Sequence, residues 1–386
     1  MGSNMKGIVQ KDLRPNGFFT KPLFLDKGFI LASPEIPLAQ DLINRLAKWG
    51  FGEVYSEGDS VENILATADE GSKAHNGGVL VAEGAGDKEV LASIQAYLEG
   101  YIAFVDTLYS RFVTNSELNF GDLMEKMRQL CEILSQNRRF VLRALSVIPP
   151  NRNYLISHAV NTSIVSILVG TTLKMPTPRL MELGAAAALH EIGMVKLPSN
   201  LFMTNRQLSI EEKRRITAHT VLGYTVLKEL QVPLAVQLAA LEHHERVNST
   251  GYPRGMNGDH ISLYAKIIAV ACSYDAVTAA RPHREGKESH EGILDLLRNE
   301  GKQYDDSIIK ALVLTLSIYP IGSLVMLSNG SKAVVIDTQA DNPRFPLVQV
   351  LGVANPDGTE VKIKTAEDGI KILRALSRQE ATASKG

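Results

Sequence analysis

The chain has 386 residues, of which 45% are hydrophobic and 22% charged, and its formal net charge at pH 7 is −1. This length accommodates more than one domain, and the balanced charge argues against a general surface for a nucleic acid polymer. The two cysteines, Cys131 and Cys272, lie far apart, which argues against a disulfide framework and favours a reducing, cytoplasmic environment. We find no signal peptide and no apolar run of 18 residues, so we expect no membrane association.

The first 147 residues predict an accessory region. We expect residues 1–20 to be a tag or a disordered segment. Residues 21–147 are predicted to begin with a small α/β piece, in which apolar runs over 22–31 indicate a hairpin and apolar spacing over 37–49 indicates a helix. A polar linker follows over about 57–88, because Gly, Ser, Glu and Asp dominate there. Helical apolar spacing then extends over about 89–147.

The rest of the chain predicts a helical domain followed by strands. Pro149-Pro150-Asn151 interrupts the chain, and nearly all of 154–317 has helical spacing, which places a helical domain over 148–325. Residues 323–376 are β-rich, and Ser328-Asn329-Gly330 indicates a hairpin. We expect 377–386 to be disordered. The predicted fold class is mainly α, a helical bundle core with a small α/β N-terminal region and a short β-rich C-terminal extension.

Clustered histidines indicate a metal centre. Eight of the nine histidines lie between positions 158 and 290. His190-Glu191 ends an apolar segment, His219 lies in a later helix, and His243-His244 follows another apolar helix. Imidazoles bind first-row metals and a carboxylate can bridge two of them, so the set predicts a dinuclear centre. Taken singly, each histidine also fits a helix end or a satisfied core position, and the prediction therefore depends on the clustering.

Two further residues extend this set. Asp275 lies in the otherwise apolar segment 271–276, where a carboxylate is costly to bury unless it is paired or bound to metal. His158 begins a helical pattern that continues through Ile164 and Leu168. Both residues are therefore candidates for the same centre.

Taken in order, these residues resemble the HD-GYP subgroup of the HD-domain phosphohydrolase superfamily, over roughly residues 150–325. The matching segments, with His219 and Gly223 between the first and the second, are Leu189-His190-Glu191-Ile192-Gly193, His243-His244-Glu245-Arg246, Gly251-Tyr252-Pro253-Arg254-Gly255, Tyr274-Asp275-Ala276-Val277-Thr278, Arg281-Pro282 and Tyr319-Pro320-Ile321-Gly322.

The resemblance implies an HD-type helical bundle that hydrolyses cyclic di-GMP to pGpG, GMP or both. It implies two divalent metal ions, with Fe or Mn preferred, and a catalytic set of His190, Glu191 and Asp275. It further implies cyclic di-GMP as the partner, along with protein signalling partners and a homodimer. The implied metal ligands are His158, His190, Glu191, His219, His243, His244 and Asp275, and the implied substrate contacts are Gly251, Tyr252, Pro253, Arg284 and Lys287.

Three positions depart from the family pattern. Glu191 stands where the family has Asp, and its extra methylene changes how the carboxylate bridges two metals. Met194 stands where the family commonly has a lysine that offsets phosphate charge. Tyr154 stands where a glutamate supports a third metal in some members, so we expect two metals rather than three.

These departures keep alternatives open. The first is a degenerate domain, weakly active or inactive, that serves as a receptor for a cyclic dinucleotide or a protein. The second is a di-iron protein of redox or oxygen-sensing type, because histidine and carboxylate ligands suit iron. The third is hydrolysis of another phosphoester, including a different cyclic dinucleotide.

Overall fold

The computed structural model divides the chain into two compact units, residues 1–78 and 79–386. It describes residues 5–15, 18–21, 23–24, 30–32, 38, 40–48, 52–61, 85–147, 153–198, 201, 206, 209–279, 286–299, 301–339, 342–366, 369–377 and 380. Most of the predicted linker, residues 62–84, lies outside this set, as does most of the tail 377–386.

Among its described residues, the first unit has a four-stranded sheet, a two-stranded sheet, one α-helix and a short 3-10 helix, Gln10–Asp12. Its strands are β1 (Lys6–Val9), β2 (Phe18–Phe19), β3 (Leu23–Phe24), β4 (Ile30–Ala32), β5 (Glu53–Ser56) and β6 (Ser60–Val61), and its helix is α1 (Gln40–Lys48). The sheet order is β1-β5-β3-β4, and β2 pairs with β6. The predicted β3–β4 hairpin and the helix are confirmed.

The expectation that residues 1–20 form a tag or a disordered segment is wrong for much of this stretch. Strand β1 pairs antiparallel with β5 in the register Lys6 to Ser56 through Val9 to Glu53. Leu13 and Phe19 are buried in the same small core as Leu23 and Val54. The segment is ordered because the rest of the unit supplies both a sheet edge and an apolar surface for it.

The second unit is a helical bundle. Its helices are α2 (Ala85–Asn115), α3 (Phe120–Val147), α4 (Tyr154–Thr172), α5 (Thr177–Leu189), α6 (Ile210–Thr217), α7 (His219–Glu229), α8 (Leu234–Glu242), α9 (Leu263–Thr278), α10 (Ser289–Arg298) and α11 (Asp306–Leu316). A 3-10 helix, Ile192–Lys196, follows α5. The predicted mainly α fold is therefore confirmed.

Helix α4 forms the centre of the bundle. It is apolar on every side, and most of its residues are buried. Among the described helices, α4 is long and apolar enough to cross a membrane by length and composition alone, although the sequence shows no apolar run of 18 residues. Its most apolar window is 78% buried inside the protein, which is typical of a core helix.

Five strands close the second unit. They are β7 (Leu324–Leu327), β8 (Lys332–Gln339), β9 (Asn342–Ala354), β10 (Glu360–Lys364) and β11 (Ile372–Leu376), in the antiparallel order β10-β9-β8-β7-β11. The β7–β8 hairpin and the third strand are as predicted. Strands β10 and β11 were not predicted individually, but both lie within the predicted β-rich extension 323–376.

The predicted domain boundary at 147/148 is corrected by the packing. Helices α2 and α3, the bundle and the C-terminal sheet contribute to one hydrophobic core, in which Leu98 and Met127 lie in the same cluster as Ile164 and Val335. The unit boundary falls instead near residue 78. Pro149 and Pro150 lie outside the described residues, but α3 and α4 on either side of them contribute to the same core, so no domain ends between these two helices.

Candidate metal centre

Three histidines are held in one common orientation. The Nδ1–H groups of His190, His219 and His243 donate to the carbonyl oxygens of Ala187, Ile216 and Ala240, at 2.7, 2.6 and 2.9 Å. Each carbonyl lies three residues before its histidine, so the contact is set by local helical geometry. With Nδ1 donating, the Nε2 lone pair of each ring is free to bind a metal.

A fourth histidine is oriented by a distant carboxylate. His158 Nδ1 lies 2.6 Å from Asp275 Oδ2, so α9 fixes a ring that α4 carries. The other oxygen, Asp275 Oδ1, accepts from Asn161 Nδ2 at 2.7 Å. Both carboxylate oxygens of Asp275 are therefore engaged, which is the arrangement in which a carboxylate supports a metal-binding imidazole from behind.

The inward-facing groups form two neighbouring clusters, and in each the ligand atoms lie within 4.8 Å of one another. The first, which we call the carboxylate cluster, has nitrogen and carboxylate donors only. The second, which we call the thiol cluster, combines two imidazoles with a cysteine. The carboxylate cluster is Glu191, His219, His243 and His244, and the thiol cluster is His158, His190 and Cys272.

Glu191 lies between the two clusters. Its Oε2 is 3.4 Å from His219 Nε2 in the carboxylate cluster, and its Oε1 is 4.0 Å from His190 Nε2 in the thiol cluster. A carboxylate placed in this way can bridge two metals. Burial raises the pKa of Glu191, but the interactions of its carboxylate with His219, His190 and other nearby imidazoles outweigh burial and lower that pKa to about 2.

The two clusters differ in their protonation. Burial lowers the pKa of His243 and His244 well below the usual value, so both rings in the carboxylate cluster are neutral at pH 7. Burial raises the pKa of the Cys272 thiol, but the interactions of the thiol with His158 and His190 outweigh burial and lower that pKa to about 6. Despite burial, Cys272 and other partners hold the pKa of His158 well above its usual value. In the thiol cluster, Cys272 and His158 therefore each favour the charged form of the other.

A glycine lets the elements carrying the clusters approach each other. Gly193, just after His190 and Glu191, lies against the start of α7, where His219 is located. A β-carbon at Gly193 would overlap the backbone of His219 and Gly223. The close approach of the two backbones therefore requires glycine at position 193.

The loop after His244 is fixed by buried acidic groups. Glu245 is buried and accepts from the backbone N–H groups of Arg254 and Met256, at 2.7 and 3.0 Å. Tyr252 stacks on His244 with ring centroids 4.6 Å apart, and its N–H donates to the His244 carbonyl. This network places the Gly251-Tyr252-Pro253 loop directly beside the carboxylate cluster.

The donor set fits divalent metal ions. His190 Nε2 and Glu191 Oε2 are buried without a hydrogen-bond partner. His219 Nε2 and His243 Nε2 lie only 3.2 Å apart, both with Nδ1 already engaged. Unpaired buried polar atoms are costly, and a metal ion satisfies several of them at once.

Family comparison agrees with this geometry. The family model described as HD domain matches residues 145–308, which contain every residue of both clusters. Residues 145–308 form an HD domain.

Two relatives that match this chain are named as cyclic di-GMP phosphodiesterases. The chain is 28% identical over 199 residues to the cyclic di-GMP phosphodiesterase PdeB of Borreliella burgdorferi, covering 52% of each chain. It is 33% identical over 198 residues to the cyclic di-GMP phosphodiesterase PA4108 of Pseudomonas aeruginosa, covering 51% of this chain and 48% of the relative. The chain thus spans about half the length of the curated relatives that it matches.

A solved structure shows a weaker likeness. The HDG"Y"P protein Bd1817 from Bdellovibrio bacteriovorus is 16% identical with a TM-score of 0.49, covering 80% of this chain and 98% of that one.

The HD domain brings together six of the seven predicted ligands. His158, His190, Glu191, His219, His243 and His244 all lie in the two clusters. Asp275 belongs to neither cluster and contacts His158 and Asn161 instead.

The predicted substrate contacts have different placements. Gly251, Tyr252 and Pro253 lie in the loop beside the carboxylate cluster. Lys287 Nζ pairs with Asp295 Oδ2 at 2.7 Å. Arg284 lies outside the described residues, as do Arg281 and Pro282.

The predicted site residues did not include four that adjoin the centre or its loop, which are Cys272, Asn161, Glu245 and Tyr109. Tyr109 on α2 donates its hydroxyl to the Ala188 carbonyl at 2.9 Å, two residues before His190. The signal for Cys272 was present, since it lies one helical turn before Asp275 and thus on the same face of α9. The contact of Tyr109 spans 79 residues and left no local signal.

One departure from the family pattern, Met194, and the nearby Lys196 both have a defined place in the HD domain. Met194 is buried in the apolar core. Lys196 directs its ammonium over the Phe112 ring at 4.9 Å from the centroid. Neither position supplies a positive charge to the metal centre. Arg246 follows His244 by two residues, and its Nη1 donates to the carbonyl oxygens of His243 and Glu245 at 3.3 and 2.9 Å.

Proposed function

We propose that this protein is a metal-dependent phosphodiesterase that hydrolyses cyclic di-GMP to pGpG, GMP or both. The observation that carries the proposal is the convergence of two donor clusters around Glu191, each with imidazole Nε2 atoms facing inward. Two ions at roughly 3.5–4 Å are the usual arrangement for phosphodiester hydrolysis. The names of the relatives support cyclic di-GMP as the substrate.

The centre would hold two divalent ions, Fe or Mn in our proposal. Glu191, His219, His243 and His244 would hold one ion, and His158 and His190 would take part in holding the other. Such ions polarise a phosphoryl oxygen and activate water. Glu191 keeps its negative charge in the buried site, because the surrounding imidazoles lower its pKa.

Other residues bind and orient the substrate in this proposal. Arg246 supplies positive charge beside Tyr252 and would offset the charge of a phosphate. The Gly251-Tyr252-Pro253 loop would line the substrate site. We retain Arg284 and Lys287 as candidate contacts, which for Lys287 requires exchanging Asp295 for the phosphate.

Product analysis tests the proposal. The full chain is purified without oxygen, reconstituted with Fe²⁺ or Mn²⁺ and incubated with cyclic di-GMP, while products are followed by chromatography. We expect pGpG or GMP to form, and His190→Ala to abolish it. His260→Ala is the matched control, because His260 is exposed and contacts Asn257 outside both clusters. Absence of product from the fully metal-loaded chain would contradict the proposal.

The second candidate is a receptor that binds a cyclic dinucleotide without turning it over. It is favoured by the burial of Met194 in the core and by the contact of Lys196 with Phe112, which leave no lysine of this segment facing the phosphate. A ligand-binding titration in parallel with product analysis separates the two, since saturable binding without product identifies the receptor. Parallel arms with other cyclic dinucleotides define the substrate.

We also propose a cytoplasmic location. Its support is that Cys131 and Cys272 are both unpaired and buried, as expected in a reducing compartment. The homodimer and the protein signalling partners remain predictions from the resemblance. Sedimentation of the metal-loaded chain tests whether it forms a dimer.

A further inference from the structure

We propose that the Cys272 thiolate is itself a metal ligand, so that the centre consists of two chemically different sites. In this arrangement Cys272, His158 and His190 form a sulfur-containing donor set, and Asp275 positions His158 instead of binding metal. The inference rests on the metal centre of the proposed function, and it is independent of which reaction that centre catalyses.

The first support is the position of the sulfur. Cys272 is buried on α9, and its Sγ lies 3.4 Å from His158 Nε2. Sγ and a ring nitrogen of each of His158 and His190 lie within 4.8 Å of one another. Three donors at this separation can reach a single ion, since bonds from sulfur and nitrogen to such metals are about 2.3 and 2.0–2.1 Å long.

The second support is an unsatisfied nitrogen that faces the same place. His190 is fully buried, its Nδ1 is engaged by the Ala187 carbonyl, and its Nε2 has no hydrogen-bond partner. A buried nitrogen in this state lacks the interaction it had with water in the unfolded chain. An ion bound jointly with Cys272 would restore that interaction.

The third support is that Asp275 and Cys272, both on α9, contact different nitrogens of His158. Asp275 follows Cys272 by three residues, and both of its oxygens are taken by His158 and Asn161. His158 is thus held between Asp275 at Nδ1 and Cys272 at Nε2. A histidine that binds a metal through one ring nitrogen usually donates the N–H of its other ring nitrogen to a carboxylate, as His158 does to Asp275.

The consequence is a difference in metal preference. Carboxylate and imidazole ligands accept Fe and Mn, whereas a thiolate favours softer ions such as Zn²⁺ and disfavours Mn²⁺. The thiol cluster therefore selects Fe²⁺ or Zn²⁺ over Mn²⁺, while the carboxylate cluster is less selective. The two sites load differently in a mixture of metals.

Cobalt substitution tests the assignment without substrate. The metal-free full chain is titrated with Co²⁺, and the near-ultraviolet band that arises when a thiolate binds cobalt is recorded together with the amount of bound metal. We expect the band in the unaltered chain with two cobalt ions bound. Cys272→Ser abolishes the band and lowers the stoichiometry or the affinity of one ion only. Cys131→Ser is the matched control, because Cys131 is also buried and belongs to neither cluster.

A second variant separates ligation from packing. Cys272→Asp supplies a carboxylate that can bind metal, so we expect two cobalt ions without the thiolate band. Persistence of the band in Cys272→Ser, or two bound ions in the unaltered chain without any band, overturns the proposal. Failure to bind cobalt at all overturns it together with the metal centre. A thiolate band in a chain that does not hydrolyse cyclic di-GMP leaves this inference standing while the proposed function fails.

Discussion

The carboxylate cluster and the thiol cluster are neighbours, but they are built by different means. In the carboxylate cluster, His219 and His243 are oriented by carbonyls three residues earlier in the chain, as His190 is in the thiol cluster. In the thiol cluster, His158 is oriented by Asp275, which is 117 residues distant. Local helical geometry therefore specifies much of the first cluster, whereas the second depends on α4 and α9 packing together. The comparison predicts that variants will affect the clusters unequally.

The largest expected effect comes from Glu191, the member of the carboxylate cluster that also approaches His190 of the thiol cluster. Glu191→Ala removes the carboxylate between His219 and His190 and leaves the surrounding buried imidazoles without their negative partner. We expect metal affinity to fall at both clusters by more than the roughly 10- to 100-fold typical of supporting residues. Competition with a chelator measures this, with exposed Glu211→Ala as the control. Loss of metal from one cluster alone would show that Glu191 does not bridge.

A smaller, one-sided effect is expected from Asp275. Asp275→Asn keeps the size of the side chain but weakens the hold on His158 Nδ1. We expect an approximately 10- to 100-fold loss of metal affinity at the thiol cluster, with the carboxylate cluster unchanged. Metal titration that resolves the two ions checks this. Equal weakening at both clusters would indicate that Asp275 acts on the whole centre as a bridging ligand.

Acid should destabilise the metal-free chain through the carboxylate cluster. Burial lowers the pKa of His243 and His244 well below 6.5, so the folded chain binds fewer protons there than the unfolded chain does. The free energy of unfolding contributed by these two rings therefore falls as the pH drops below about 6.5. Glu191, with a pKa of about 2 against 4.5, adds a loss in the same direction at lower pH.

Urea unfolding at a series of pH values, in the presence of a chelator, measures this dependence. His244→Asn removes one of the two titrating rings, so its free energy of unfolding should fall less steeply below pH 6.5 than that of the unaltered chain. Identical slopes for the two proteins would contradict the assignment of the pH dependence to this cluster.

The smallest effect is expected away from both clusters. Lys287 is about half exposed and pairs with Asp295. An exposed ion pair of this kind contributes about 0–1 kcal/mol, so Lys287→Ala should change the free energy of unfolding by no more than that. If Lys287 contacts the substrate, the variant raises KM while metal binding stays the same. Steady-state kinetics with cyclic di-GMP decides between these outcomes.

Much of the centre was predictable because its chemistry depends on residue type. Histidines after apolar helices, together with Glu191, identified six residues that the structure brings together in the two clusters. Asp275 stood out as a carboxylate in an apolar helix, and its partner His158 was on the same list. Which of the two residues on that face of α9 lies among the donors could not be read from spacing, because Cys272 and Asp275 are one turn apart.

The sequence by itself determined the helices, the β7–β8 hairpin and the types of ligand, since these follow from apolar periodicity, turn residues and side-chain chemistry. Only the tertiary structure decided that α2 and α3 share the core of the HD domain, that Gly193 admits the backbone at His219, and that Cys272 faces His158 and His190. These features depend on which faces of distant helices pack together. Packing is fixed by the fit of whole surfaces, and no short segment of the chain encodes it.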